Sequence, residues 1–111
     1  MEPITYYGHQ GDIEIRVLES PPDVTGWEEI TDPTQHVVAY GEATGHAHRL
    51  QGAVKFFRAP DGFRTVALIG ESGRLGHEEH RAHGLGGQRW YAFGRQQEAN
   101  LEAAGWVRVT D

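Results

Sequence analysis

The sequence predicts a mostly β protein, a small antiparallel barrel or sandwich with one short helix near the C-terminus, and three observations carry that prediction. Short apolar segments alternate with polar residues at the two-residue period of half-buried strands. Turn signals rich in glycine, proline and aspartate separate these segments at close intervals. Only one stretch, Gln96 to Gly105, has the Ala, Leu, Glu and Gln content of a helix. The nearest rival is an α+β roll with that helix packed on the sheet. At 111 residues the chain is expected to form a single domain, residues 1–111, because one hydrophobic core suffices at this size.

After a polar start, Asp12 to Leu18 sets apolar Ile13, Ile15 and Val17 against Glu14 and Arg16, which predicts the first strand. Residues 20–35 hold three prolines and several turn-forming polar side chains, so they read as a long loop with a short helical turn around Trp27 to Ile30. Loops of that length often carry partner specificity. His36 to Glu42 and His46 to Gln51 are strand-like on either side of Thr44-Gly45, and are expected to form a hairpin or one bulged strand. Ala53 to Arg58 and Arg64 to Gly70 flank Pro60-Asp61-Gly62, a turn in which proline presets φ and glycine takes positive φ. Glu71 to Gln88 is punctuated by glycine and reads as an irregular loop with one helical turn at His77 to His80. Arg89 to Gly94 and Trp106 to Thr110 complete the strands on either side of the predicted helix.

Composition removes several classes of function. Sixteen acidic against ten basic residues give a formal charge of −6, which opposes generic binding to nucleic acid or to an anionic membrane. The absence of cysteine excludes disulfides, thiolate zinc sites, iron–sulfur clusters and a thiol nucleophile together. The N-terminus has no signal-peptide pattern and no segment is long enough to span a bilayer, so a cytoplasmic location is expected. A homo-oligomer or a protein partner remains compatible with this composition.

Seven histidines against one lysine is the compositional oddity, and their spacing gives it meaning. In Gly45-His46-Ala47-His48-Arg49, residues i and i+2 of a strand share a face, so two imidazoles converge while small Ala47 points away. Zinc takes about four ligands at ~2.0–2.1 Å, so this pair supplies half a site. His77-Glu78-Glu79-His80 supplies a second pair at i, i+3. The expected centre is a divalent metal ion, zinc by preference, bound by His46, His48, His77 and His80. His83 continues the spacing more weakly, and the isolated His9 and His36 are left out.

Four neutral imidazoles leave the charge of a divalent ion uncompensated, so carboxylates should serve as ligands or accept imidazole N–H. Glu42, Glu78, Glu79 and Glu98 are the candidates, with Glu42 and Glu98 as supporting carboxylates, and Glu78 and Glu79 are also candidate general bases should the ion activate water. The zincin pattern H-E-x-x-H fails because Arg81 stands where the second histidine belongs. Neither serine sits in a nucleophile elbow, and the glycines between Gly70 and Gly87 do not form a phosphate loop. Three roles follow: a metal-stabilised binding protein, a metal-dependent hydrolase with an open ligand position, and a metal-free interaction or assembly module.

Gln10-Gly11-Asp12, the segment Gly41-Glu42-Ala43-Thr44-Gly45-His46-Ala47-His48-Arg49, His77-Glu78-Glu79-His80 and Gln96-Gln97-Glu98 together resemble a family of small, uncharacterised bacterial and phage-associated proteins. The resemblance runs from Gln10 to about Asp111, and departs from the family at Ala99, where an aromatic residue is usual. It implies shared use of the two histidine pairs and names no reaction. A weaker similarity to cupins rests on the His46-His48 pair alone, since no glutamate follows Gln51 at the cupin spacing.

Overall fold

The structure, a computed structural model, describes residues 4–40, 46–78 and 80–95. Eight strands follow one another: β1 (Ile4–Gln10), β2 (Ile13–Leu18), β3 (Glu28–Ile30), β4 (Val37–Tyr40), β5 (Ala47–Arg58), β6 (Thr65–Gly76), β7 (His83–Gly86) and β8 (Arg89–Arg95). All pairings are antiparallel, in the order β1-β2-β8-β6-β5-β3, with β4 also on β5 and β7 also on β6. The sheet is therefore mostly β as expected, and its strand path stays open at β1 and β3.

Two long strands organise the sheet. β5 pairs with β4 through its first residues and with β3 through Phe56 to Arg58, while β6 pairs with β8 over Thr65 to Ile69 and with β7 over Ser72 to Leu75. Each long strand thus changes one partner midway, and their own ladder carries a bulge there, between Gly52 and Val54. A bulge bends its strand and increases its twist, which lets one sheet curl around a core.

Alternation assigns the two faces. Ile13, Ile15 and Val17 of β2, Phe56 of β5, Ala67 and Ile69 of β6, and Tyr91 and Phe93 of β8 meet in the main core. Their neighbours in sequence Leu18, Phe57, Val66, Trp90 and Ala92 lie on the opposite face, where Val24 and Trp27 of the loop after β2 cover them.

The Pro60-Asp61-Gly62 hairpin is as predicted: Arg58 pairs with Thr65, Gly62 has φ +80°, and Asp61 Oδ1 accepts from Phe63 N at 2.8 Å. β4 and β5 form the predicted hairpin, with a register shift between Val37 and Ala39. The predicted strands His46 to Gln51 and Ala53 to Arg58 are one strand, and the polar start is β1.

Three other expectations are corrected. The turn expected at Trp27 to Ile30 is instead strand β3, because Glu28 to Ile30 find backbone partners on β5 nearly thirty residues away in sequence. The loop's helical turn is a 3₁₀ segment, Pro33–Gln35, capped by Asp32, whose Oδ1 accepts from Thr34 N at 2.9 Å. The stretch read as an irregular loop carries the second half of β6 and all of β7, and His77, Glu78 and His80 lie in a bend with no helical turn. Its glycines serve close approach: a Cβ on Gly87 would stand 2.0 Å from Glu71 O. The predicted helix from Gln96 and the strand Trp106 to Thr110 lie outside the described residues. No described helix is long and apolar enough to cross a membrane.

Candidate metal centre

Strand register builds the site. In the β5–β6 ladder Arg49 faces Gly76, so the next pair along it is His48 opposite His77, and their ring centroids are 4.4 Å apart. His77 is the hub: its ring also lies 5.7 Å from His46, edge-on, and 4.6 Å from His80. His48 and His80 stack nearly parallel at 6.0 Å. All four histidines singled out in the sequence therefore come together at one end of the sheet.

Ligand atoms of His46, His77 and Glu78 lie within 4.8 Å of one another, a group able to hold a metal ion. Glu78 is anchored: its Oε1 accepts from Ala47 N at 2.9 Å, between the two histidines of the strand pair. That hydrogen bond, its own amide and then His46 and His77 hold its carboxyl below the usual range. Glu78 thus stands among the ligand atoms, one of the four carboxylates that the sequence offered. Glu42, Glu79 and Glu98 lie outside the described residues.

The turn between β1 and β2 forms the inner wall. Gln10, 1% exposed, donates from Nε2 to Leu75 O at 2.8 Å and to Arg81 O at 2.9 Å, spanning the bend that carries His77 and His80. Its Oε1 lies 2.8 Å from Nδ1 of His48. Asp12 Oδ1 is 4.0 Å from His48 Nε2, and its Oδ2 is 2.9 Å from Arg95 Nε. Glu78 brings a negative charge to the cluster, and Asp12 brings a second that it shares with Arg95.

The remaining histidines have other settings. His36, buried, donates from Nε2 to Ile30 O at 2.7 Å and packs on Phe56. His83 lies over Gly8, and His9 is 3.9 Å from Glu14. Gln10 and Asp12 were not among the expected site residues, although the motif containing them had been singled out. No local periodicity marks a turn as the neighbour of a bend some seventy residues later.

The match to known families covers residues 9–96 and takes in every described residue of this cluster; the family is a domain of unknown function, DUF8820. The chain belongs to this family. No curated protein and no solved structure matches it. Within the DUF8820 match lie both the turn and the bend, so the family boundary encloses the whole candidate centre.

Burial, reinforced by His77, lowers the His48 pKa from 6.5 to about 4; Asp12 opposes the shift, while His80 and Arg95 add to it. The imidazole of this DUF8820 chain is therefore neutral near pH 7, the form that binds metals. Because the folded value lies below the unfolded one, this group's stabilisation is present above about pH 6.5 and is lost as pH falls towards 4. Metal-free protein should lose on the order of 3 kcal/mol through this group over that window. Urea unfolding at several pH values measures it, and His48→Gln should flatten the slope.

Gly11 has φ +60°, and a Cβ there would stand 2.8 Å from Nε2 of His80. Gly11→Ala is expected to cost about 1–2 kcal/mol from the left-handed backbone alone and to displace His80 as well. Denaturant melts read the first effect, and metal titration the second.

Proposed function

We propose that this DUF8820 member is a metal-binding protein, with zinc as its ion. His46, His77 and Glu78 supply three donors, and the fourth comes from the adjoining His48 and His80 pair. The observation that carries this reading is the 4.8 Å grouping of the ligand atoms of His46, His77 and Glu78. Donors that each lie about 2.0–2.2 Å from one ion are separated from each other by no more than about 4.4 Å, so small side-chain rotations would close the set. The donors are imidazole and carboxylate, a combination suited to zinc and to the neighbouring transition metals.

The ion would tie the start of β5 to the bend between β6 and β7, two segments that the sheet joins only along one ladder. This makes its role chiefly structural, since binding energy gained only in the folded state is folding energy. A hydrolytic role needs a coordination position left open to water. X-ray absorption spectroscopy separates the two: four protein donors favour the structural role, and three with a water favour hydrolysis.

Elemental analysis of protein purified without an affinity tag tests the binding itself. The expected result is about one zinc per chain, lost in His46→Ala and His77→Ala. Wild-type protein that carries no metal, and takes up none after incubation with zinc, cobalt or nickel, would remove this reading.

A further inference from the structure

The first residue of Gln10-Gly11-Asp12 has no role in the metal reading, yet its side chain is buried in the core and makes three hydrogen-bond contacts. Gln10 and His48 are 1% and 2% exposed, so neither can exchange its partner for bulk water. The amide of Gln10 has one oxygen that only accepts and one NH₂ that only donates. Two backbone carbonyls, Leu75 O at 2.8 Å and Arg81 O at 2.9 Å, lie against one end of it. Carbonyls cannot donate, so that end must be the NH₂. The opposite end is the oxygen, 2.8 Å from His48 Nδ1, and it can be satisfied only by a hydrogen on that nitrogen.

We infer that Gln10 is a positioning residue that locks His48 in its Nδ1–H tautomer and so reserves the lone pair of Nε2 for a ligand. Resting on the metal reading, this assigns Nε2 as the atom by which His48 meets the ion. Metal-bound histidines commonly donate their second N–H to an oxygen in this way, which fixes the ring and raises its basicity. Gln10 performs a further task with the same amide. Leu75 and Arg81 flank the bend, so one side chain sets the ring of His48 and holds both ends of the segment that presents His77, Glu78 and His80.

The turn explains why glutamine is suited to this position. A glutamate would set its negative oxygens against two carbonyls, and a hydrophobic residue would leave buried His48 Nδ1 without its acceptor. Only an amide satisfies two acceptors and one donor together.

Long-range ¹H–¹⁵N correlation of the metal-free protein near pH 7 reads the tautomer directly, and zinc titration of the same samples reads affinity. Wild type is expected to show His48 as Nδ1–H. Gln10→Met is expected to shift His48 towards Nε2–H and to weaken zinc binding by about 10- to 100-fold. An Nε2–H signature in wild type overturns the inference, and so does a Gln10→Met protein with both tautomer and affinity unchanged. The wild-type spectrum decides the matter by itself should Gln10→Met fail to fold. Failure of the metal reading looks different: the Nδ1–H tautomer is present and sensitive to Gln10, yet wild type binds no zinc.

Discussion

Zinc added to metal-free protein at about a hundred times its dissociation constant is expected to raise the melting temperature by about 10–20 °C. A ligand that binds only the folded state at that concentration stabilises it by about 2.7 kcal/mol. In a domain of this size, each kcal/mol moves the midpoint by about 4–8 °C. EDTA should reverse the gain. His77→Ala should abolish it, because the His77 ring is the one in contact with His46, His48 and His80 together. Differential scanning calorimetry is the measurement. A melting curve indifferent to both zinc and EDTA would leave the cluster without a role in stability.

Phe56→Ala is expected to destabilise the fold by about 3–5 kcal/mol, the cost of emptying the site of a fully buried aromatic ring. Phe56 has no exposure and lies in the main core, where His36 packs on its ring at 5.4 Å and the Arg58 guanidinium sits 5.7 Å from its centroid. It also stands in the part of β5 that is paired on both sides, with Ile30 of β3 and Ala67 of β6 as its partners. A domain with total stability of about 5–15 kcal/mol keeps little margin after such a loss. Phe63→Ala is the matched control: its ring is 49% exposed at the hairpin turn. That change should stay within about 0.5 kcal/mol. Equal effects of the two substitutions on urea midpoints would contradict this placement of the core.

The elements read correctly from the sequence share one property, which is that their signal is local. Ile13, Ile15 and Val17 alternate within one strand, and Pro60-Asp61-Gly62 dictates its turn within three residues. The spacing of the histidine pairs is local in the same sense: His46 and His48 are two apart on or beside a strand, and His77 and His80 close together on one bend. The missed elements lack such a signal. β1 holds the run Tyr6-Tyr7-Gly8-His9 with a register shift in it, so no clean alternation survives. β3 is three residues long, two of them glutamates, and is a strand only because β5 offers it a ladder. β7 is His83-Gly84-Leu85-Gly86, whose glycines read as loop punctuation until β6 is placed beside it.

By itself, the sequence determined a mostly β chain without thiol chemistry, its central hairpin, and the spacing of four histidines that the fold brings together. Only the tertiary structure decided that Glu78 joins His46 and His77, that Asp12 and Arg95 stand behind His48, and that Gln10 governs its ring. The physical reason is the range of the interactions. Side-chain period and turn chemistry act over a few residues and are written in the local order of the chain. Gln10 reaches His48, Leu75 and Arg81 across 38, 65 and 71 residues, and such contacts exist only after strand pairing has fixed which backbone lies beside which.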